Sequence, residues 1–211
     1  MNRRISTFLL GFAVLPLGLL TSGCASTATV VPGRTLALVD VTYLESRMTG
    51  VPMASGETTP MARMADAILR ELARDGRYQV VDARDKGVHA TELVQDPSKI
   101  AGLRAAVPAD AFLAVRLLDC AARPMTETER RGTGSSATEV TVYFHRGECT
   151  AELEAWDPQG KRIAILQKTG RWDSPRQDRS DGGAMQSQTL TNGIDDTARR
   201  LAREIQPSAA K

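Results

Sequence analysis

The stretch Asp110-Ala-Phe-Leu-Ala-Val-Arg-Leu-Leu-Asp-Cys-Ala121 decides the fold of this chain. Its first half is apolar at every position, whichever way a side chain points. A strand greasy on both faces belongs in the middle of a sheet that is covered on both sides. Upstream, Lys99–Ala106 reads as a short helical segment stopped by Pro108, preceded by a polar stretch containing Asp96-Pro97-Ser98. Farther upstream, Thr35–Val41 and Tyr78–Val81 read as two more strands. Between them lies a loop over 44–60, then a helix capped by Thr59 with Pro60 at its first position. Met61, Ala65, Ile68, Leu69 and Leu72 form its apolar stripe, and Gly76 ends it. Two strands joined by a helix form a parallel, right-handed unit.

Downstream, Thr126–Thr138 is a polar tip, and Glu139–Trp156 returns as strand, with Gly147 placed to form a bulge. Asp157-Pro158-Gln159-Gly160 has the residues of a type I turn, and Arg162–Trp172 is the next strand. An exposed loop, 173–183, leads to a last amphipathic helix marked by Leu190, Ile194, Ala198, Leu201 and Ile205 and ended by Pro207. The order is β-α-β-(α)-β-β-β-α. The predicted fold is α/β, one mixed sheet with helices packed against it and a long hairpin.

The hairpin's register follows from its tip. If the chain turns at Gly134-Ser135, opposed residues have numbers that sum to 269, and Cys120 and Cys149 satisfy that sum. Directly opposed Cβ atoms lie close enough for bonding after a small adjustment. A Cys120–Cys149 disulfide is therefore expected; two buried free thiols are the competing reading. The same arithmetic at the next turn sets Ala155 against Ile163 and Leu153 against Ile165, which makes the Cys149 face the core face.

The N-terminus carries an address. Arg3 and Arg4 precede an apolar run from Phe8 to Leu20, too short to span a bilayer comfortably, and Thr21-Ser22-Gly23-Cys24 closes it. This stretch resembles the bacterial lipobox, whose cysteine takes a diacylglycerol and becomes the new N-terminus. The resemblance implies a signal peptide over 1–23, lipidation at Cys24 and a tether over 24–34. A single α/β domain over 35–206 and a tail over 207–211 follow. Ala25, where aspartate favours inner-membrane retention, implies the outer membrane, facing the periplasm. Taking Arg3 and Arg4 from the 27 basic residues brings them level with the 25 acidic ones. That balance removes the electrostatic case for nucleic acid or anionic lipid as a partner.

Catalytic motifs are missing from the sequence: there is no nucleophile elbow, phosphate-binding Gly-Lys loop, dinucleotide fingerprint or zinc-binding helix motif. His89 in a loop and His145 in a strand have no ligand spacing and read as surface or edge residues; no metal and no cofactor are expected. Asp82-Ala83-Arg84-Asp85 and Asp195-Asp196 read as solvated or helix-start charge. Arg123, Arg130 and Arg131 on the hairpin tip offer a docking patch for an acidic partner or peptidoglycan carboxylates. The plainer and preferred reading is a mobile loop whose Glu127 and Glu129 offset those arginines.

Five segments, Leu36–Val41, Ala62–Asp82, Ala109–Leu118, Glu152–Ile163 and Thr191–Ile205, follow a recurring layout. It resembles that of small bacterial envelope lipoproteins of the LpoB type, the N-terminal domain of TolB and CsgG-like secretion lipoproteins. The resemblance implies an anticodon-binding-like α/β fold, no catalysis, and an adaptor role exercised through an envelope protein partner. An auxiliary lipoprotein of an ABC-type lipid transport system is the alternative, and a periplasmic enzyme the third reading.

Overall fold

A computed structural model describes residues 29–44, 59–96 and 98–207. The signal peptide, Cys24 and most of the 44–60 loop lie outside the described residues. The elements are β1 (Thr29–Val31), β2 (Thr35–Tyr43), α1 (Pro60–Ala73), β3 (Gln79–Asp82), α2 (Ala90–Gln95), α3 (Ser98–Ala106), β4 (Ala111–Arg131), β5 (Thr138–Trp156), β6 (Arg162–Asp173), α4 (Gln186–Glu204) and β7 (Ile205–Pro207). Five strands form one mixed sheet in the order β3-β2-β4-β5-β6, parallel from β3 to β4 and antiparallel from β4 to β6. This is the α/β class read from the sequence, and the expected order β-α-β-(α)-β-β-β-α is present with β1, α2 and β7 added to it.

Period-two alternation sorts the sheet into two cores. Leu36, Leu38, Leu113, Val115 and Leu117 point to one side, where Met64, Ile68 and Leu72 of α1 and Leu190, Ile194 and Leu201 of α4 meet them. Ala37, Val39, Phe112, Ala114 and Trp156 point to the other, under Leu93 of α2 and Ile100 and Leu103 of α3. The double-sided apolar run of β4 thus fills both layers. Thr59 caps α1 through Oγ1, which accepts from the Ala62 amide at 3.2 Å. At the sheet's base, Asp110 accepts from the amides of Arg34 (2.7 Å) and Thr35 (2.9 Å), fastening β2 to β4. These two amides hold its carboxyl below the usual range.

Four sequence expectations are corrected. α2 lies in the stretch read as unstructured polar chain. Gly147 is no bulge: it pairs regularly with Ala122 and Trp172, and a Cβ there would lie 2.0 Å from the Thr189 carbonyl oxygen. It is glycine because α4 rests on the sheet at that point. The bulges fall elsewhere, one at Leu118 in β4 and one at Ile163 in β6, besides a register shift between Leu38 and Asp40 in β2. The second shifts the register by one, so Ala155 meets Ala164 and Leu153 meets Leu166, and Ile165 is turned out to 49% exposure. Finally, β1, in the segment read as tether, pairs in parallel with β7, with Thr29 opposite Ile205. Tyr78 donates its hydroxyl to the Val31 carbonyl at 3.3 Å, and burial pushes the phenol up to about 12.

Candidate functional site

Cys120 and Cys149 are opposed and bonded, with Cα atoms 4.0 Å apart. The whole ladder from Asp119↔Thr150 to Arg131↔Thr138 obeys the predicted sum of 269. The Leu118 bulge matters here: three residues apart on a regular strand, Leu117 and Cys120 would face opposite ways, yet with the bulge both lie in the same core. Cys149, Ala151, Leu153 and Ala155 share that face on β5.

Past this bond the hairpin leaves the body of the protein. The first residue of α4, Gln186, reaches the Ala122 carbonyl at 3.0 Å, and no described helix follows the strands farther. From Ala122 to Arg131 the strands run about 30 Å at ~3.3 Å per residue. β2 stays beside β4 only as far as Leu117, where the Leu44 amide closes the ladder at 2.9 Å. Beyond Leu117, no described strand pairs with the outer edge of β4.

The other side of the arm is braced. Segment 174–181 returns along β5 as a partial third strand, with Tyr143 and Gln177 exchanging amide–carbonyl bonds of 2.8 and 2.9 Å. Arg176 lies over the Phe144 ring, 5.0 Å from its centroid, and pairs with Glu127 (2.7 Å) and Glu129 (3.1 Å). Arg131 pairs with Asp178 at 2.8 Å, Arg123 reaches Asp119 at 3.9 Å, and Arg130 stands opposite Glu139. Thr126–Arg131 is therefore strand, not loop, with 132–137 turning between β4 and β5, and Glu127 and Glu129 are held by Arg176 from the 173–183 loop. What the arm leaves exposed on its Cys120 face is uncharged for several residues: Pro124, Thr126, Thr128, Thr141 and Tyr143.

His145 corrects another expectation. It is buried, 7% exposed, and Nε2 lies 2.7 Å from Asp181 Oδ1. Its backbone amide donates to Ser174 Oγ at 2.9 Å. Asp181 also accepts from the amides of Gly183 (2.9 Å) and Met185 (3.2 Å), so one carboxylate ties the entry of α4 to the arm. His145, foremost, and the Gly183 amide hold that carboxyl below its usual range. Among the described residues Nδ1 of His145 has no hydrogen-bond partner, and a cavity of about 40 Å³ adjoins the ring. The His145–Asp181 pair thus joins β5 to the segment that leads into α4. His89 stays exposed, 3.7 Å from Asp40.

Nor are Asp195 and Asp196 helix-start charge, since both sit in the middle of α4. Asp195 takes both arms of the Arg63 guanidinium, tying α4 to α1. Asp196 accepts from the Arg171 amide at 3.0 Å and from Arg200 at 2.7 Å. Among the described residues, no three His, Cys, Asp or Glu side chains are grouped to hold a metal, and no helix is long and apolar enough to cross a membrane.

No family model and no curated protein matches the sequence. Among solved structures the chain is similar to the lipoprotein GNA1162 from Neisseria meningitidis, at 14% identity over 72% of this chain and 89% of that one, TM-score 0.39. A minor lipoprotein from Acinetobacter baumannii aligns at 14% identity over 81% and 91%, TM-score 0.39. The LpoB C-terminal domain from Salmonella enterica aligns at 16% identity over 66% and 84%, TM-score 0.35.

Proposed function

We propose that this protein is a lipid-anchored adaptor of the bacterial cell envelope, attached through Cys24 to the outer membrane on its periplasmic side, and that it works by protein contacts rather than by catalysis. The observation that carries the contact half of this reading is the arm. A free strand edge is a row of unpaired amides and carbonyls, the template on which an extended segment of another protein adds as a new strand. The disulfide at its root and the bracing loop hold that edge extended, so a partner meets a surface that needs little ordering. The anchoring half is supported by Thr21-Ser22-Gly23-Cys24 after its apolar run.

Arm shortening tests the reading. Removing Thr128–Arg131 with their partners Thr138–Thr141 takes out four register pairs, keeps each remaining side chain on its face and leaves the tip turn intact. Envelope proteins that co-isolate with the lipidated full chain are expected to be lost from this variant while its thermal unfolding stays cooperative. Retention of all of them by a folded, shortened variant contradicts the arm as the contact surface.

A further inference from the structure

We propose that the groove between the last turn of α1 and the C-terminal half of α4 binds the phosphate of an anionic phospholipid headgroup, in the membrane that holds Cys24. This rests on the lipid-anchor reading and adds to it a second, non-covalent contact. The groove, about 640 Å³ and open, is lined by Arg70, Glu71, Ala73, Arg74 and Arg199. Three guanidinium groups thus meet one carboxylate, and Glu71 is largely covered and already paired with Arg74 at 3.2 Å.

The carboxylates nearby are shared out. Asp195 is committed to Arg63 through both oxygens, leaving Arg70 at 3.7 Å. Asp196 serves the Arg171 amide and Arg200, leaving Arg199 likewise at 3.7 Å. Arg70 and Arg74 keep 54% and 59% of their side-chain surface exposed. Exposed guanidinium forks with loosely held counter-charges match phosphate oxygens in pairs. Without Arg3 and Arg4 the basic and acidic residues are level, which argues against long-range attraction to anionic lipid, and the groove is a local excess within that balance.

Position selects the source of the phosphate. Arg199 stands six residues before β7, about 9 Å along the helix at ~1.5 Å per residue. β7 pairs with β1, and Thr29 is five residues from Cys24, a span of at most about 17 Å of chain. The groove therefore lies at the anchored end of the molecule. β4 starts at that same end, beside Arg34 and Thr35, and carries the arm tip to roughly 65 Å from it at ~3.3 Å per residue. Seated this way, the protein lays Arg70, Arg74 and Arg199 on the headgroups and points the arm away from the membrane.

The test uses the mature lipidated protein in nanodiscs of phosphatidylcholine, with or without phosphatidylglycerol, read by amide hydrogen exchange. With phosphatidylglycerol, exchange over 70–74 and 199–203 is expected to slow by about fivefold for each engaged arginine. The slowing disappears in high salt and in the Arg70→Gln/Arg74→Gln/Arg199→Gln variant, whose core strands stay protected. Equal exchange in both discs overturns the groove, and the same slowing by inorganic phosphate in phosphatidylcholine discs overturns the membrane as its source. Intact mass reads the premise separately: a chain without diacylglycerol on Cys24 overturns the anchor and the seating together.

Discussion

Reducing the Cys120–Cys149 bond probes the arm at its root. The two residues are 29 apart in sequence, and closing a loop of that length removes about 12 cal/mol/K from the unfolded chain. At 25 °C this corresponds to about 3.6 kcal/mol of stability. For a domain of this size each kcal/mol shifts the midpoint by about 2–4 °C, so reduction is expected to lower Tm by about 7–14 °C. Part of the hairpin ladder persisting in the unfolded ensemble would place the result at the lower end. The assay is thermal unfolding by circular dichroism with and without reductant. The Cys120→Ala/Cys149→Ala variant serves as the control: its Tm must not respond to reductant. Alkylation of the unreduced protein under denaturing conditions should leave both cysteines unmodified. A shift below about 2 °C, or two reactive thiols before reduction, would refute the constraint assigned to this bond.

Other outcomes follow from the packing and the charges. Gly147→Ala drives a methyl into the Thr189 carbonyl and should cost about 1–3 kcal/mol, while Gly102→Ala in α3, where nothing lies within 4 Å, should gain about 0.5–1 kcal/mol; denaturant midpoints read both. Thr197 is fully buried, its hydroxyl accepting from the Gly170 amide at 3.0 Å and lying 2.6 Å from the Cys149 carbonyl. Thr197→Val keeps the shape, strands that amide and carbonyl, and should cost about 1–3 kcal/mol in the same assay. Asp173 and Asp181 are both held below the usual carboxylate range, Asp173 by Arg146 and then Arg171, Asp181 by His145 and then the Gly183 amide. Their contribution is complete above the unfolded carboxylate value near ~4 and is lost as pH falls through the depressed folded values. Hydrogen exchange over 174–183 should thus show no loosening from these carboxylates between pH 8 and 5, and loosening below about pH 3, relative to the core strands.

The sequence was most legible where one local signal fixes many contacts. A single turn at Gly134-Ser135 set the register of thirteen opposed pairs from Asp119↔Thr150 to Arg131↔Thr138, because an uninterrupted antiparallel ladder has no freedom once its tip is placed. The double-sided run Ala111–Val115 likewise announced a central strand. Bulges defeated the same arithmetic at Ile163, since one extra residue leaves no mark in a period-two pattern where Ile163, Ala164, Ile165 and Leu166 are all apolar. The β1–β7 ladder joins residues from the two ends of the domain, three pairs long, with no local signal to connect them. His145, Asp181 and Arg176 were missed because the 173–183 stretch is polar, and polarity alone does not distinguish a solvated loop from one stapled to a strand by ion pairs. Gly147 did carry a signal, a glycine inside a strand. That signal fits a bulge or a close backbone approach equally, and only the position of α4 decides between them.

The claim that the arm meets a protein partner in the envelope is tested most directly by photo-cross-linking in intact cells. A photoreactive amino acid is placed at Thr126 or Thr128 on the arm, and at exposed Thr91 in α2 as the control. The account predicts a discrete cross-linked adduct from the two arm positions and none from Thr91. No adduct from either arm position, or the same adducts from Thr91, would contradict it.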